Sequence, residues 1–201
     1  MATLRFGPLG ANSLHVAVDM QRLFAEPTAW HTPDLMAILP VVERLSAASP
    51  ERTVFSRFIT PRNPEVAVGS WQRYYRHWRA LTLARIDPAQ LGLVSPLTRL
   101  TPPALVVDKR VHSVFDSLSF QEILRHRRID TLIFSGVETD VCVLASVLQA
   151  VDKGHRTLVV RDAVASSSAE GHRATLEAVL PRFDQQIEVV DSDDLLRSWP
   201  P

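Results

Sequence analysis

The sequence predicts an α/β fold with three layers, α-β-α, around a mainly parallel sheet of about six strands. Six short runs of apolar and β-branched residues recur along the chain, and segments with helical hydrophobic spacing separate several of them. Near-continuous apolar runs are typical of strands buried on both faces of a parallel sheet. Because strands alternate with helices, helices should cover both faces, which is a Rossmann-like architecture.

The six predicted strands are four to six residues long. The second ends close to a proline-containing insertion, and the fourth is followed by the polar run Glu-Thr-Asp. They lie at residues 14–19, 53–57, 104–108, 131–135, 157–161 and 187–190.

Four helices are predicted between these strands. Segments 34–47 and 139–153 carry apolar residues at the spacing of an amphipathic helix, and Gly154 would end the second of them. Ser-x-x-Glu patterns at the start of 119–127 and 167–180 are typical of capping boxes, which satisfy unpaired N–H groups at a helix start.

Length and composition exclude several classes of protein. A chain of 201 residues predicts a single domain over residues 1–201. Lys plus Arg and Asp plus Glu are both 22, and this neutral balance argues against nucleic-acid and membrane partners. One cysteine excludes a disulfide framework, and the absence of a secretion signal or long apolar stretch predicts a cytoplasmic protein.

Three reactive side chains follow predicted strands. Asp19 ends the first strand, Lys109 follows the third, and Cys142 lies seven residues after Ser135, at the start of a helix. In open α/β sheets, ligands bind outside the carboxyl ends of the strands, so these groups should share one edge. A helix N-terminus and a nearby ammonium both favour a thiolate, so we expect a lowered thiol pKa.

Each of these residues also has a structural interpretation. A lone cysteine is often a small buried side chain, Asp19 could cap a turn or pair with an arginine, and Lys109 could be a solvated lysine. Taken singly, these interpretations are at least as good as the catalytic one. Taken together, the three residues form a nucleophile, an acid/base group and a cation at matching strand ends.

Three motifs give the chain a resemblance to a known family. They are Asp-x-Gln-x-x-Phe from Asp19 to Phe24, Lys-x-x-x-Ser-x-Phe beginning at Lys109, and Gly-Val-x-Thr-x-x-Cys-Val around Cys142. The chain resembles the isochorismatase-like cysteine hydrolases, which include nicotinamidases and N-carbamoylsarcosine amidases. The third motif is the most specific, and the resemblance covers most of the chain.

The resemblance implies a mechanism and a set of site residues. Asp19, Lys109 and Cys142 would be the catalytic triad, and the substrate would be a small-molecule amide or a related compound. A cis peptide between Val137 and Glu138 would direct the Glu138 N–H, beside that of Cys142, at the oxyanion. The family also suggests a homodimer or homotetramer and requires no organic cofactor.

One departure from the family concerns metal binding. Nicotinamidases hold a metal through an Asp-x-His pair after the second strand, where this chain has Phe58 and Thr60. A phenyl ring offers no donor atom to a metal ion. We therefore expect no catalytic metal, no cofactor and no nicotinamidase activity.

The substrate pocket is predicted from the resemblance and from an aromatic segment, 71–78, within the insertion at 60–103. Tryptophan, tyrosine and arginine are enriched at interfaces, so this segment is interpreted first as a lid or an oligomer interface. Arg57 is a candidate clamp for a substrate carboxylate, or else a partner for an acidic residue. The candidate pocket residues are Phe24, Arg57, Trp71, Tyr75 and His112.

Three functional hypotheses follow. The first is a metal-independent amidase that cleaves a C–N bond through a thioester on Cys142. The second is a hydrolase for another bond, such as the vinyl ether of isochorismate, and the third is a non-catalytic oligomeric binding protein. The presence of all three triad residues favours an enzyme, and the cysteine nucleophile favours the amidase.

Overall fold

A computed structural model describes residues 4–199 and contains one six-stranded sheet. The strand order is β3-β2-β1-β4-β5-β6, and every neighbouring pair is parallel. The predicted α/β fold with a sheet of about six strands is confirmed. The strands are β1 (Ser13–Val18), β2 (Thr53–Phe58), β3 (Leu105–Lys109), β4 (Thr131–Val137), β5 (Arg156–Ala165) and β6 (Ile187–Val190).

The centre of the sheet is its most buried part. Strands β1 and β4 are buried at every position and pair over six residues, from Ser13 opposite Thr131 to Val18 opposite Gly136. Their largely apolar sequences match strands covered on both faces. The strand order changes direction at β1, whose neighbours are β2 and β4. The carboxyl ends of these strands therefore form the crevice in which open α/β sheets bind ligands.

Helices flank this sheet. Helix α2 packs against β1, β4 and β5 and contacts α8, while α6 packs against β5. Within residues 4–199, no helix is long and apolar enough to cross a membrane. The α-helices are α1 (Arg22–Ala25), α2 (Leu35–Ala48), α3 (Ser70–His77), α4 (Ser95–Thr98), α5 (Leu118–His126), α6 (Leu144–Asp152), α7 (Ala169–Ala174) and α8 (Ser192–Ser198).

Two predicted helix starts are wrong. The Ser119 capping box does not form, because α5 begins at Leu118 and the Ser119 hydroxyl instead lies 2.9 Å from that of Ser117. Helix α7 is capped by Ser168, whose hydroxyl accepts the Gly171 N–H at 2.9 Å. A one-residue shift in the cap changes which hydroxyl meets the unpaired N–H groups, and sequence spacing does not resolve it.

Two predicted helices change their winding along their length. The segment predicted at 139–153 begins as a π-helical turn, Thr139–Val143, before α6. The segment predicted at 167–180 continues past α7 as a second π-helical turn and a short 3₁₀ helix, Leu180–Phe183. Pro181 is accommodated there because an N–H near the start of a helix has no intrahelical partner.

Close backbone contact joins β1 to β4 beside the predicted site. Gly136 has a φ of +99°, and a Cβ at this position would lie 2.1 Å from the carbonyl oxygen of Val18. Only glycine adopts this conformation without strain and leaves room for the neighbouring strand. Gly136 therefore holds the end of β1, which leads into Asp19, against the strand that leads into Cys142.

Candidate active site

The carboxyl ends of three strands bring together the groups that the sequence singled out. Asp19 follows β1, Lys109 is the last residue of β3, and Cys142 lies in the turn after β4. The Asp19 Oδ2 atom lies 2.7 Å from Lys109 Nζ, and both side chains are fully buried. The Cys142 side chain makes hydrogen-bonding contacts with both Asp19 and Lys109.

Ser56 positions both the backbone and one carboxylate oxygen of Asp19. Its backbone has a φ of 51°, in the left-handed region, and its N–H donates to the Ser56 carbonyl at 3.2 Å. The Ser56 hydroxyl donates to Asp19 Oδ1 at 2.7 Å. Oδ2, although beside Lys109, is aligned with no hydrogen-bond donor among residues 4–199. One carboxylate oxygen is thus anchored and the other remains able to accept a proton.

Lys109 stays charged although it is buried. Burial opposes the ammonium charge, but Asp19 and Cys142 outweigh it and raise the pKa of Lys109 above its usual value. Its Nζ also donates to the Val111 carbonyl at 3.2 Å and lies 4.4 Å from the centre of the Phe58 ring. An aromatic face attracts a cation, so Phe58 adds to the stabilisation of the ammonium.

Cys142 is buried, with 5% of its surface exposed. Burial, with a smaller effect of Asp19, raises the pKa of its thiol to about 12, against the opposing effect of Lys109. The expectation of a thiolate favoured by the helix start is therefore wrong. Desolvation penalises the charged sulfur more than one ammonium stabilises it. The resting site holds a neutral thiol beside a carboxylate–ammonium pair.

The turn that carries Cys142 has an unusual backbone. The Val137–Glu138 peptide bond is cis, and the chain then enters the π-helical turn. The Glu138 carbonyl accepts the N–H groups of Val141 and Val143, but not that of Cys142 between them. The Cys142 N–H therefore lies at the start of a helix, where backbone donors favour negative charge.

The side chain of Glu138 has two partners. Its Oε1 accepts the Ser167 N–H at 2.9 Å and the Thr32 hydroxyl at 3.4 Å. It also contributes negative charge near Tyr74 and His112. The carboxylate is therefore tied to the polar loops around the site and acts on the pocket through its charge.

Helix α7 supports the cysteine turn through residues that the sequence analysis missed. The Ser166 hydroxyl donates to Asp140, and Thr139 Oγ1 lies 2.9 Å from His172 Nδ1. A Cβ on Gly171 would lie 1.9 Å from the Asp140 carboxylate, so a larger residue there would have to displace that side chain from its contact with Ser166. No local pattern marks these pairings, because each joins two segments distant in sequence.

Aromatic rings form the wall of the site. The Trp71 and His112 rings are 4.9 Å apart, and Trp71 and Tyr74 meet edge to face at 5.2 Å. A cleft of about 600 Å³ opens beside them. Its lining includes Ser70, Trp71, Arg73, Tyr74, His77, Trp78 and His112. Part of the segment 71–78 is therefore pocket wall.

Trp30 is a further wall residue that no motif indicated. Its ring stacks on Phe24 at 6.0 Å and meets Phe58 edge to face at 5.5 Å. It also contacts Tyr75 at 6.4 Å, and the buried Tyr75 hydroxyl has no hydrogen-bond partner among the described residues. Phe24, Trp71, Tyr75 and His112 thus lie in one aromatic cluster.

Arg57 does not join this cluster. Its guanidinium donates two hydrogen bonds to Asp108, at 2.7 and 2.9 Å. The two residues are direct partners in the register of β2 and β3. The prediction of a substrate clamp is therefore replaced by its alternative, an ion pair with an acidic residue, because both oxygens of that carboxylate occupy the guanidinium.

The donor set for a metal ion is poor. Phe58 packs against Lys109, Trp30 and Trp71, and its ring provides no ligand atom. Between residues 4 and 199, no group of three or more His, Cys, Asp or Glu side chains is arranged to hold a metal. These residues do not fit the metal that the resemblance places here in nicotinamidases.

Comparison with known proteins identifies a family. The family model named isochorismatase domain matches residues 13–193. Maleamate amidohydrolase from Pseudomonas putida is 29% identical over 93 residues, covering 46% of this chain and 44% of that protein. N-carbamoylsarcosine amidase from Arthrobacter sp. is 25% identical over 154 residues, covering 74% and 58%. The matches to the first three curated relatives span only 39–44% of their lengths.

Solved structures agree on the fold. A cysteine hydrolase from Pseudomonas syringae pv. phaseolicola superposes with a TM-score of 0.79 at 21% identity, covering 98% of this chain and 97% of that one. A pyrazinamidase of Pyrococcus horikoshii in complex with zinc gives a TM-score of 0.73 at 24% identity, covering 90% and 99%. At these identities the likeness supports the architecture.

Proposed function

Because the chain belongs to the isochorismatase family, we propose that it is a hydrolase that cleaves the C–N bond of a small amide or carbamoyl compound. The observation that carries this proposal is the buried Asp19–Lys109 pair, 2.7 Å apart and in contact with the Cys142 thiol. A carboxylate, an ammonium and a thiol in contact are a base, a cation and a nucleophile. Amidohydrolases among the relatives support the choice of bond.

The first step is attack by Cys142. Since burial keeps the thiol neutral, Asp19 removes its proton as the sulfur attacks the substrate carbonyl carbon. Asp19 Oδ2, which is aligned with no donor, receives that proton, and Lys109 stabilises the charge that develops on sulfur. Asp19 then gives the proton to the leaving amine, and a thioester remains on Cys142.

The backbone stabilises the oxyanion in this proposal. The N–H groups of Glu138 and Cys142 hold the carbonyl oxygen as its charge develops. Support comes from the Cys142 N–H, which lies at the start of a helical turn and does not bond the Glu138 carbonyl. Backbone donors fixed before the reaction stabilise charge more effectively than mobile water. Water then attacks the thioester and releases the acid.

The pocket favours a small amide with an apolar or planar acyl group. Rings of Trp71, Tyr74 and His112 line the cleft beside the nucleophile. The candidate clamp Arg57 donates two hydrogen bonds to Asp108, which favours a neutral substrate over an anionic one.

The test is a substrate panel assayed with matched variants. Small aliphatic and aromatic amides, N-carbamoyl compounds and isochorismate are incubated with the protein, and ammonia or acid release is measured. We expect ammonia from at least one amide, and a loss of at least about 10³-fold in Cys142→Ala and Cys142→Ser, because a nucleophile acts as a unit with its base. Turnover of isochorismate alone, no turnover, or full activity in both variants contradicts the amidase.

The domain organisation, cellular location and oligomeric state of the protein are also proposals. We propose one hydrolase domain spanning the chain, acting in the cytoplasm as a homodimer or homotetramer. A single sheet collects strands from residues 13–190, and a lone free cysteine offers no disulfide framework of the kind common in oxidising compartments. Light scattering on the purified protein tests the assembly, and a monomeric mass at micromolar concentration contradicts it.

A further inference from the structure

His112 lies against the nucleophile on the side that faces the cleft. Its Nδ1 is 3.8 Å from Cys142 Sγ, its ring packs 4.9 Å from that of Trp71, and it lines the open cleft. We propose that His112 is a second catalytic base, which takes a proton from the water that hydrolyses the thioester. This inference rests on the proposed function, since it assigns the group that completes that reaction.

His112 and Asp19 differ in their access to the cleft. Asp19 is fully buried, with Ser56 on one carboxylate oxygen and Lys109 beside the other. His112 is half-buried and borders the cleft, from which we expect water to reach the sulfur. Once an acyl group occupies Cys142, it stands between Asp19 and that water. His112 borders the same sulfur from the cleft side, where the water arrives.

The proposed step balances its protons and electron pairs. A water O–H bond breaks, its proton passes to His112 Nδ1, and the water oxygen bonds to the thioester carbon. The C–S bond then breaks with its electron pair on sulfur. The proton returns from Nδ1 to Cys142 Sγ, across the 3.8 Å that separates them. The products are the free acid and the resting thiol, with the other ring proton of His112 kept on Nε2.

The charges around His112 keep its imidazole neutral near pH 7. Burial and the Lys109 ammonium lower the pKa of His112 below 6.5, against smaller opposing effects of Asp19 and Glu138. A neutral imidazole is the form that accepts a proton. Deacylation should therefore slow as the pH falls below this lowered pKa. The ionisable or charged groups that face the ring or line its cleft are Asp19, Arg73, Tyr74, His77, Lys109, Glu138 and Cys142.

The test separates acylation from deacylation with p-nitrophenyl acetate. The activated ester acylates a cysteine and releases p-nitrophenol in a burst, after which hydrolysis of the acetyl-enzyme limits the rate. For His112→Asn we expect an unchanged burst of one equivalent and a steady-state rate lowered by about 10²-fold or more. The decline of the deacylation rate below pH 6.5 should disappear in the variant. His126→Asn, an exposed histidine at the end of α5, is the matched control.

Several outcomes overturn the inference. They are a steady-state rate in His112→Asn within threefold of the parent, a burst and steady-state rate that fall together, or an equal effect in His126→Asn. If His112→Asn does not fold, the same assay is run on His112→Gln. The acetyl-enzyme of the parent protein is also isolated, and the pH dependence of its deacetylation is measured. A rate that stays flat as the pH is lowered from 7 through the whole range in which the protein remains folded contradicts the proposal. Persistence of the burst in Cys142→Ala instead defeats the proposed function.

Discussion

Two ionisable residues lie four positions apart at the first strand, His15 and Asp19. Both are fully buried, but only Asp19 has a side chain of opposite charge beside it. His15 Nε2 lies 2.8 Å from the Ser135 hydroxyl, and its ring meets Trp199 edge to face at 6.2 Å. Burial lowers the pKa of His15 to about 3, so the ring is neutral at physiological pH. Burial without a partner of opposite charge therefore keeps the His15 side chain neutral.

Asp19 differs from His15 because the sheet supplies a side chain of opposite charge beside it. Lys109 lies 2.7 Å away, brought to the same edge by β3, two strands from β1. One Asp19 oxygen remains without an aligned donor, and a thiol is in contact. Burial alone thus does not indicate a site. The chemistry depends on a buried charge pair with one oxygen available and a nucleophile in reach.

The largest predicted effect breaks this charge pair. Asp19→Asn removes the proton acceptor, so activity on an identified amide should fall by at least about 10³-fold. The change also leaves the Lys109 ammonium buried without a counter-charge, which should lower the free energy of unfolding by about 3–5 kcal/mol. Steady-state kinetics and urea unfolding measure the two effects.

His15→Gln is the matched control for Asp19→Asn. It changes a buried polar residue of the same strand that does not contact the thiol, so kcat per folded molecule should stay within about threefold. Equal losses of activity in the two variants would show that disruption of β1, and not loss of the base, explains the effect.

A second prediction concerns the lowered pKa of His15 and its effect on the free energy of unfolding. Between pH 6.5 and 3 the unfolded chain binds a proton on this residue that the folded chain does not, so stability falls as the pH falls. The full span corresponds to about 5 kcal/mol from this one group. Urea unfolding from pH 7 to 4 should show the decline, and His15→Gln should flatten it. An identical slope in the variant contradicts the assignment.

A smaller effect is expected from the anchor of Asp19. Ser56→Ala removes the hydroxyl that donates to Asp19 Oδ1 at 2.7 Å, but leaves Lys109 and the available oxygen. Loss of one charge-assisted hydrogen bond, about 1.5–3 kcal/mol, should lower kcat by about tenfold through misorientation of the carboxylate. A variant with parental kcat at every pH would show that Ser56 plays no part in positioning the base.

The smallest effect concerns the neighbouring surface pair. Arg57 and Asp108 are partly exposed, and solvent screens such pairs, so Arg57→Ala should change the free energy of unfolding by about 1 kcal/mol or less. Activity on neutral and anionic amides should change by less than about threefold, since the side chain is bound to Asp108. A selective rise in KM for anionic amides would restore the interpretation as a substrate clamp.

The sequence predicted what depends on local pattern. Apolar runs located the strands, and the residues that follow them placed Asp19, Lys109 and Cys142 at one edge, where the structure brings them into contact. Ser56 was within reach of the same reasoning, as a polar residue inside an apolar strand, but the pattern does not reveal its partner.

Features that depend on packing between distant segments could not be predicted from the sequence. Trp30 enters the aromatic wall from a loop, and Arg57 finds Asp108 through the register of two strands. The raised pKa of Cys142 follows from its burial, which the nearby helix start and lysine do not indicate. Each property is set by surroundings that the complete fold supplies.

The most direct test of the central claim, that Cys142 forms a thioester, is the mass of the protein during turnover. Samples mixed with p-nitrophenyl acetate, or with an amide identified from the panel, are quenched in acid within seconds and examined by intact and peptide mass spectrometry. We predict one added acyl group, located on Cys142 and absent from Cys142→Ala. A protein that turns over the amide while no acyl group accumulates on Cys142, even when His112→Asn is used to slow deacylation, would contradict the account.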